Sequence, residues 1–152
     1  MTTETTTAPP ADGDQLSPEG RAVLDATQDL ADDVSETGEE FMRGRIAQDE
    51  AVARLDLARE RADDLRERAQ QLPASERAGE RLASLNEEIS RTATAISRDV
   101  SAGREASRDD IDRRIAKLRD EARSTFDAVT RQLDRRTRER LREALDRIGA
   151  QP

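Results

Sequence analysis

Seven arginines crowd the stretch from Arg131 to Arg147 (RQLDRRTRERLREALDR), the densest run of one reactive side chain in the sequence. Guanidinium groups at this density can neutralise phosphates, as nucleic-acid binders require. Four acids share the run, however, leaving a net charge of +3, and it holds no aromatic ring on which a base could stack. It therefore reads as a charged, solvated helix face, and nucleic acid is not expected as a partner. Asp109, Asp110 and Asp112 form an acidic cluster of the kind that attracts Ca²⁺ or Mg²⁺. They lack the glycine turn and distal glutamate of a cation loop, and read instead as the N-terminal cap of a helix. Asp32-Asp33 and Asp63-Asp64 read as surface pairs on the same argument.

The residue types that are missing exclude more. The chain has no His, Cys, Trp or Tyr. General acid–base work near neutral pH usually falls to His, nucleophilic catalysis to Cys or an activated Ser, and zinc or iron–sulfur sites to Cys and His. The 34 Asp and Glu recur along helix faces beside arginines, which is the pattern of a solvated surface. No catalytic, cofactor-binding or metal-ligating residue is expected, and the chain does not read as an enzyme.

The elements that must carry these residues are helices. Of 152 residues, 23 are Ala and only 24 are Val, Ile or Leu, while 39% are charged. Such an Ala/Glu/Arg/Leu-rich chain predicts long helices or coiled coil, with a thin supply of large core residues. Net charge is −8, with 25 Arg against the single Lys117. An acidic, lysine-poor surface suits a protein working in high salt, although a GC-rich genome also favours Arg over Lys. Residues 1–16 (MTTETTTAPPADGDQL) are Thr-, Pro- and acid-rich and predict a disordered tail without the features of a signal peptide. With no apolar run long enough for a membrane span, the expected location is cytoplasmic.

Helix is predicted from Ser17-Pro18-Glu19, where Ser suits the cap, Pro the first helical position and Glu the helix dipole. A strict 4-3 alternation runs from Val23 to Leu72, with Thr27, Thr37, Gly44 and Gln48 as its non-apolar slots. Residues 17–72 thus form one helix or a pair, and Thr37-Gly38-Glu39-Glu40 would be the capping box that splits them. A turn is expected at 73–75, where Pro73 disfavours helix before it and Ser75 can cap the next helix. From Ala78 the apolar positions recur every eleven residues to Ile148, a hendecad that keeps its stripe on one face of a nearly straight helix. Across 76–148 a break is expected near 101–107, at Gly103, with a fresh cap at Ser107-Arg108-Asp109-Asp110. Gly149 ends the helix and 149–152 form a short tail. Residues 1–72 carry a net −10 and residues 108–152 a net +3, so an acidic front folded against a basic rear helix is favourable, within one chain or between two. Glu39–Arg43, Glu87–Arg91, Asp109–Arg113, Asp110–Arg114, Asp127–Arg131 and Glu143–Arg147 stand at helical i,i+4 spacing.

The expected architecture is all-α, with long amphipathic helices forming an antiparallel helical hairpin or coiled-coil bundle that self-associates. Its stripe residues, as helix-packing or hydrophobic-surface contacts, are Leu30, Val34, Phe41, Leu55, Leu65, Ile89, Ile96, Ile111, Ile115, Leu118, Phe126, Val129 and Leu133. Phe41 and Phe126, the only aromatic residues, either fill the seam or insert into a hydrophobic surface.

The stretch from Leu24 to Gln71 resembles phasins, the proteins that coat polyhydroxyalkanoate granules. Its resemblance lies in Ala26-Thr27-Gln28-Asp29-Leu30-Ala31, in Phe41 some ten residues on, and in the Ala/Leu/Gln-rich helix through Leu55, Leu65 and Gln71. With the acidic, lysine-poor composition, it is most similar to a version from a salt-loving archaeon. That resemblance implies a small, cysteine-free, oligomerising structural protein on the surface of storage granules, and no catalytic or ligand residue. Read from the residues alone, two functions stay open. One is a coat in which the stripes bury against a hydrophobic granule; the other is a self-associating adaptor or scaffold that binds protein partners.

Overall fold

A computed structural model describes residues 16–73 and 77–149, excepting the side chains of 132–134, 136–138 and 140. Residues 1–15 of the expected tail at 1–16, the cap at Ser75 and the last residues after Gly149 lie outside this description. The described chain is all-α, with four helices: α1 (Pro18–Met42), α2 (Gln48–Gln70), α3 (Ala78–Ala102) and α4 (Arg104–Gly149). They form an up-down-up-down bundle. Glu19 at the start of α1 pairs with Arg68 at the end of α2, and Glu40 near the end of α1 pairs with Arg54 near the start of α2. Asp99 late in α3 meets Arg114 of α4, which places those two antiparallel as well. Helix α3 touches all three others, α1 across the diagonal, whereas α2 and α4 do not meet among the described residues.

Helix α1 begins as its sequence dictates. The Ser17 hydroxyl accepts a bond from the Gly20 amide at 3.0 Å, and Pro18 occupies the first turn. Its end differs from expectation. Thr37-Gly38-Glu39-Glu40 lies inside α1, and the chain reverses at 43–47, with Gly44 at φ +73°. Gly38 serves another purpose: a Cβ there would stand 2.8 Å from Ile115 Cδ1, so its bare backbone lets α4 approach closely. The 4-3 seam explains the true boundary. Thirteen of its fifteen slots are buried, and the two exposed ones are Gly44, inside the reversal, and Gln48, the first residue of α2.

At the reversal, Arg104 closes the bundle end. Its guanidinium donates from Nε to the Phe41 carbonyl and from Nη2 to the Ile46 carbonyl, and lies 4.7 Å over the Phe41 ring. The Phe41 carbonyl also accepts from the Gly44 amide at 3.0 Å, so the guanidinium adds a second donor at the end of α1, where the helix dipole favours a cation, and ties it to the Ile46 carbonyl of the loop.

Alanine supplies much of the core. On α2 the buried face is Ala51, Leu55, Ala58, Ala62, Leu65 and Ala69, against Gly79, Ala83 and Ala93 on α3. Small residues let the two backbones approach, so α2–α3 makes the most extensive contact of any helix pair. One polar pair interrupts the apolar interior. Asn86 Nδ2 donates to Thr27 Oγ1 and to the Leu82 carbonyl, each at 2.9 Å, while Asn86 Oδ1 is buried with no partner among the described groups. This pair fixes the register of α1 against α3.

The expected fresh cap at Ser107 is replaced by a sharper device. Gly103, at φ +101°, makes the break in one residue, and α4 starts at once. Ser107 sits inside α4, and its hydroxyl donates to the Asp99 carbonyl at 2.6 Å, stitching the corner. Asp109, Asp110 and Asp112 therefore lie in the helix body rather than at its cap.

Candidate functional site

Helix α4 outruns the bundle. It is 46 residues long against 23 to 25 for the others. Phe126 packs beside Val23 and Leu82 near one end of the bundle, and Val129 is the last fully buried residue of α4 among the described side chains. Residues 131–149 then continue as helix for about 28 Å at 1.5 Å per residue. On this arm Leu141 (61% exposed), Leu145 (59%) and Ile148 (67%) stand at i, i+4 and i+7, one stripe on one face. Arg131, Arg135, Arg142 and Arg147 are exposed along the same arm. Three large apolar side chains in register, left in solvent, have no role in the bundle's own packing.

A second feature lies between α1 and α2. A groove of about 620 Å³ is lined by Ala26, Leu30 and Leu65 together with Asp29, Asp33, Glu60 and Asp64. It runs on into a second recess of about 240 Å³ at Glu36, Glu40, Leu57 and Ala58. Leu57 is 47% exposed there, the only large hydrophobic of the bundle body left so open among the described residues. Arg54, Arg61 and Arg68 share the walls, but residues 18–70 carry a net −7.

The stripe residues expected from sequence lie almost wholly inside the bundle. Leu30, Val34, Phe41, Leu55, Leu65, Ile89, Ile96, Ile111, Ile115, Leu118 and Val129 are buried at 5% exposure or less. Phe126 is partly buried against the core, and the side chain of Leu133 lies outside the description. Packing has therefore used up the face that would meet a hydrophobic particle. Leu57, Leu141 and Leu145 were not singled out by periodicity, because they stand off the slots of the dominant stripe. The 4-3 spacing of 141, 145 and 148 was the available signal.

Charged partners are also chosen by the fold. Glu87–Arg91 forms along one helix as spaced. Glu39 instead takes Arg119 of α4 through two bonds of 2.8 and 3.1 Å, Arg114 takes Asp99, and Arg113 takes Asp110. The Arg119 hydrogen bonds hold the Glu39 carboxyl below its ordinary range, against a smaller opposing effect of burial. Glu121 is pushed up, first by burial and then by Glu88 across the α3–α4 seam. The signs oppose. Glu39 contributes stability above the ordinary carboxylate pKa, and this is lost as pH falls through its depressed value. Ionised Glu121 costs stability above its raised pKa, and that cost vanishes as pH falls through it. Glu121→Gln should thus raise the thermal midpoint modestly at pH 7 and leave it unchanged near pH 4, whereas Glu39→Gln should lower it at pH 7. Thermal melts followed by circular dichroism at the two pH values check both.

Among the described residues, no group of three or more acidic, His or Cys side chains is placed to hold a metal ion, and no helix is long and apolar enough to cross a membrane. Asp110 is engaged by Arg113 at 2.6 Å. Comparison with protein-family models, curated proteins and solved structures finds no match to this chain.

Proposed function

We propose that this chain is a non-enzymatic helical scaffold that binds protein partners through the free end of α4. The observation that carries the reading is the arm at 131–149, a continuous helix bearing Leu141, Leu145 and Ile148 in solvent beyond a bundle already closed on itself. An amphipathic helix of this kind gains free energy by laying its apolar face into a complementary groove, with i, i+4 and i+7 residues as anchors. Its arginines suit an acidic rim around such a groove and discourage basic ones. The absence of His, Cys and Tyr from the sequence supports the non-enzymatic part of the reading.

A coat on polyhydroxyalkanoate or another hydrophobic granule is the second reading, and the exposed arm leucines also favour it. Coating through the stripe residues themselves requires the bundle to open, because those side chains are buried. The two readings part in one pair of measurements. In extract from source cells the native chain should migrate in an assembly larger than its own 16.9 kDa, and Leu141→Ser/Leu145→Ser/Ile148→Ser should not. These positions are exposed, so the variant keeps its helix content and its melting midpoint to within a few degrees. A chain that runs alone in both forms, or that co-floats with polyester particles in preference to entering an assembly, overturns the scaffold.

A further inference from the structure

We infer that the protein docked by the α4 arm is a second copy of this chain, seated in the groove between α1 and α2. This rests on the scaffold reading and names its partner. Three observations converge on the groove. The first is apolar match: Leu141, Leu145 and Ile148 need an apolar floor, and the groove offers the exposed Leu57 and the partly exposed Ala26, over the edges of the otherwise buried Leu30 and Leu65.

The second is charge. The run 131–147 is +3, and the groove lining is −3, with Asp29, Asp33, Glu36, Glu40, Glu60 and Asp64 against Arg54, Arg61 and Arg68. Opposite potentials raise the association rate and select this groove over basic surfaces. The third is length. The lining residues run from Ala26 to Glu40 on α1 and from Arg54 to Arg68 on α2, about 21 Å of helix. The arm is about 28 Å long, enough to fill it from end to end.

The arm cannot reach the groove of its own chain. It leaves past the start of α1 as an unbroken continuation of α4, and α4 packs on α1 and α3, away from α2. A single seated helix is a small interface, whereas two copies that exchange arms double it and close as a two-fold dimer.

The absence of cysteine from the natural sequence makes the test clean. Leu57→Cys and Leu145→Cys chains are purified separately, mixed, and treated with a short bis-maleimide. A cross-linked dimer should appear in the mixture and in neither preparation alone. In sedimentation the native chain should have twice the 16.9 kDa mass, and Leu141→Ser/Leu145→Ser should weaken the dimer at least about tenfold. Raising the salt concentration should weaken it too, since the facing charges are exposed. Cross-linking of Leu145→Cys to itself would show arm-to-arm pairing and overturn the inference. So would a purified chain that stays monomeric. If that monomer still enters an arm-dependent assembly in extract, the scaffold reading survives with a different partner; if it enters none, both readings fail.

Discussion

Phe41→Ser should remove about 3–5 kcal/mol of folding stability, as truncation of a buried aromatic side chain does. Phe41 is 2% exposed within the main core cluster, and its ring also carries the Arg104 guanidinium. Losing the ring opens a cavity between α1 and α4 and strands the cation that closes the end of α1. With domain stabilities typically about 5–15 kcal/mol, such a loss takes a large share of the total. Phe126→Ser should cost far less, since Phe126 is only partly buried near the end of the bundle. Urea titration of both variants by circular dichroism should show a large fall in midpoint for Phe41→Ser and a small one for Phe126→Ser. Equal falls would mean that the Phe41 environment is not the sealed core described. The contrast matters for function too. Any loss of adsorption or binding in a Phe41 variant would report an unfolded bundle rather than a missing contact.

Gly79→Val should cost about 2–3 kcal/mol, the range of an overpacked core. A Cβ at Gly79 would sit 2.8 Å from the Ala69 carbonyl oxygen and 3.2 Å from Leu72 Cβ, where α2 ends and α3 begins. The nearest atom is backbone, so relief requires the two helices to move apart. That movement would loosen the alanine-lined α2–α3 seam beside it. Gly38→Ala makes the informative control. Its closest neighbour is the tip of the Ile115 side chain, which can rotate, and alanine gains about 1 kcal/mol of helix propensity over glycine. Denaturation should therefore find Gly38→Ala close to neutral and Gly79→Val strongly destabilised. A neutral Gly79→Val would mean that α2 and α3 pack less closely than their alanines imply.

Much of the architecture was legible in the residues. Ser17-Pro18 marked the start of α1, and the 4-3 and eleven-residue stripes named nearly every large side chain that the bundle buries. Even the weak slots carried information. Gly44, off-pattern in the seam, lies where the chain turns and Gln48 where α2 begins, while Thr27 and Thr37 are off-pattern yet buried. Thr27 accepts from the Asn86 side-chain amide, and the Thr37 hydroxyl donates back to the Asp33 carbonyl. A polar residue in a seam can thus mean a turn or a paired group, and only its neighbours distinguish the two. The wider buried face of α3, with Gly79, Ala83 and Asn86 beyond the hendecad slots, was equally hidden. It follows from that helix touching three others, which no single stripe records.

Helix, stripes and residue classes could be read along the chain, because periodicity near 3.6 and capping chemistry act within a few neighbouring residues. The scarcity of larger aliphatics predicted only a thin supply of core residues; that alanine makes up the difference, as at Ala51, Ala58, Ala62 and Ala69 of α2, is visible only in the packed bundle. Packing alone decided which stripe faces which. It selected Arg119 over Arg43 as the partner of Glu39, and it used Gly38 for close approach rather than a turn. It also left Leu141, Leu145 and Ile148 in solvent while burying Ile111, Ile115 and Leu118 on the same helix. The cause is that burial is a property of pairs of surfaces. A stripe of apolar residues states that a partner is needed, and only the lengths and register of the other three helices set where α4 runs out of one.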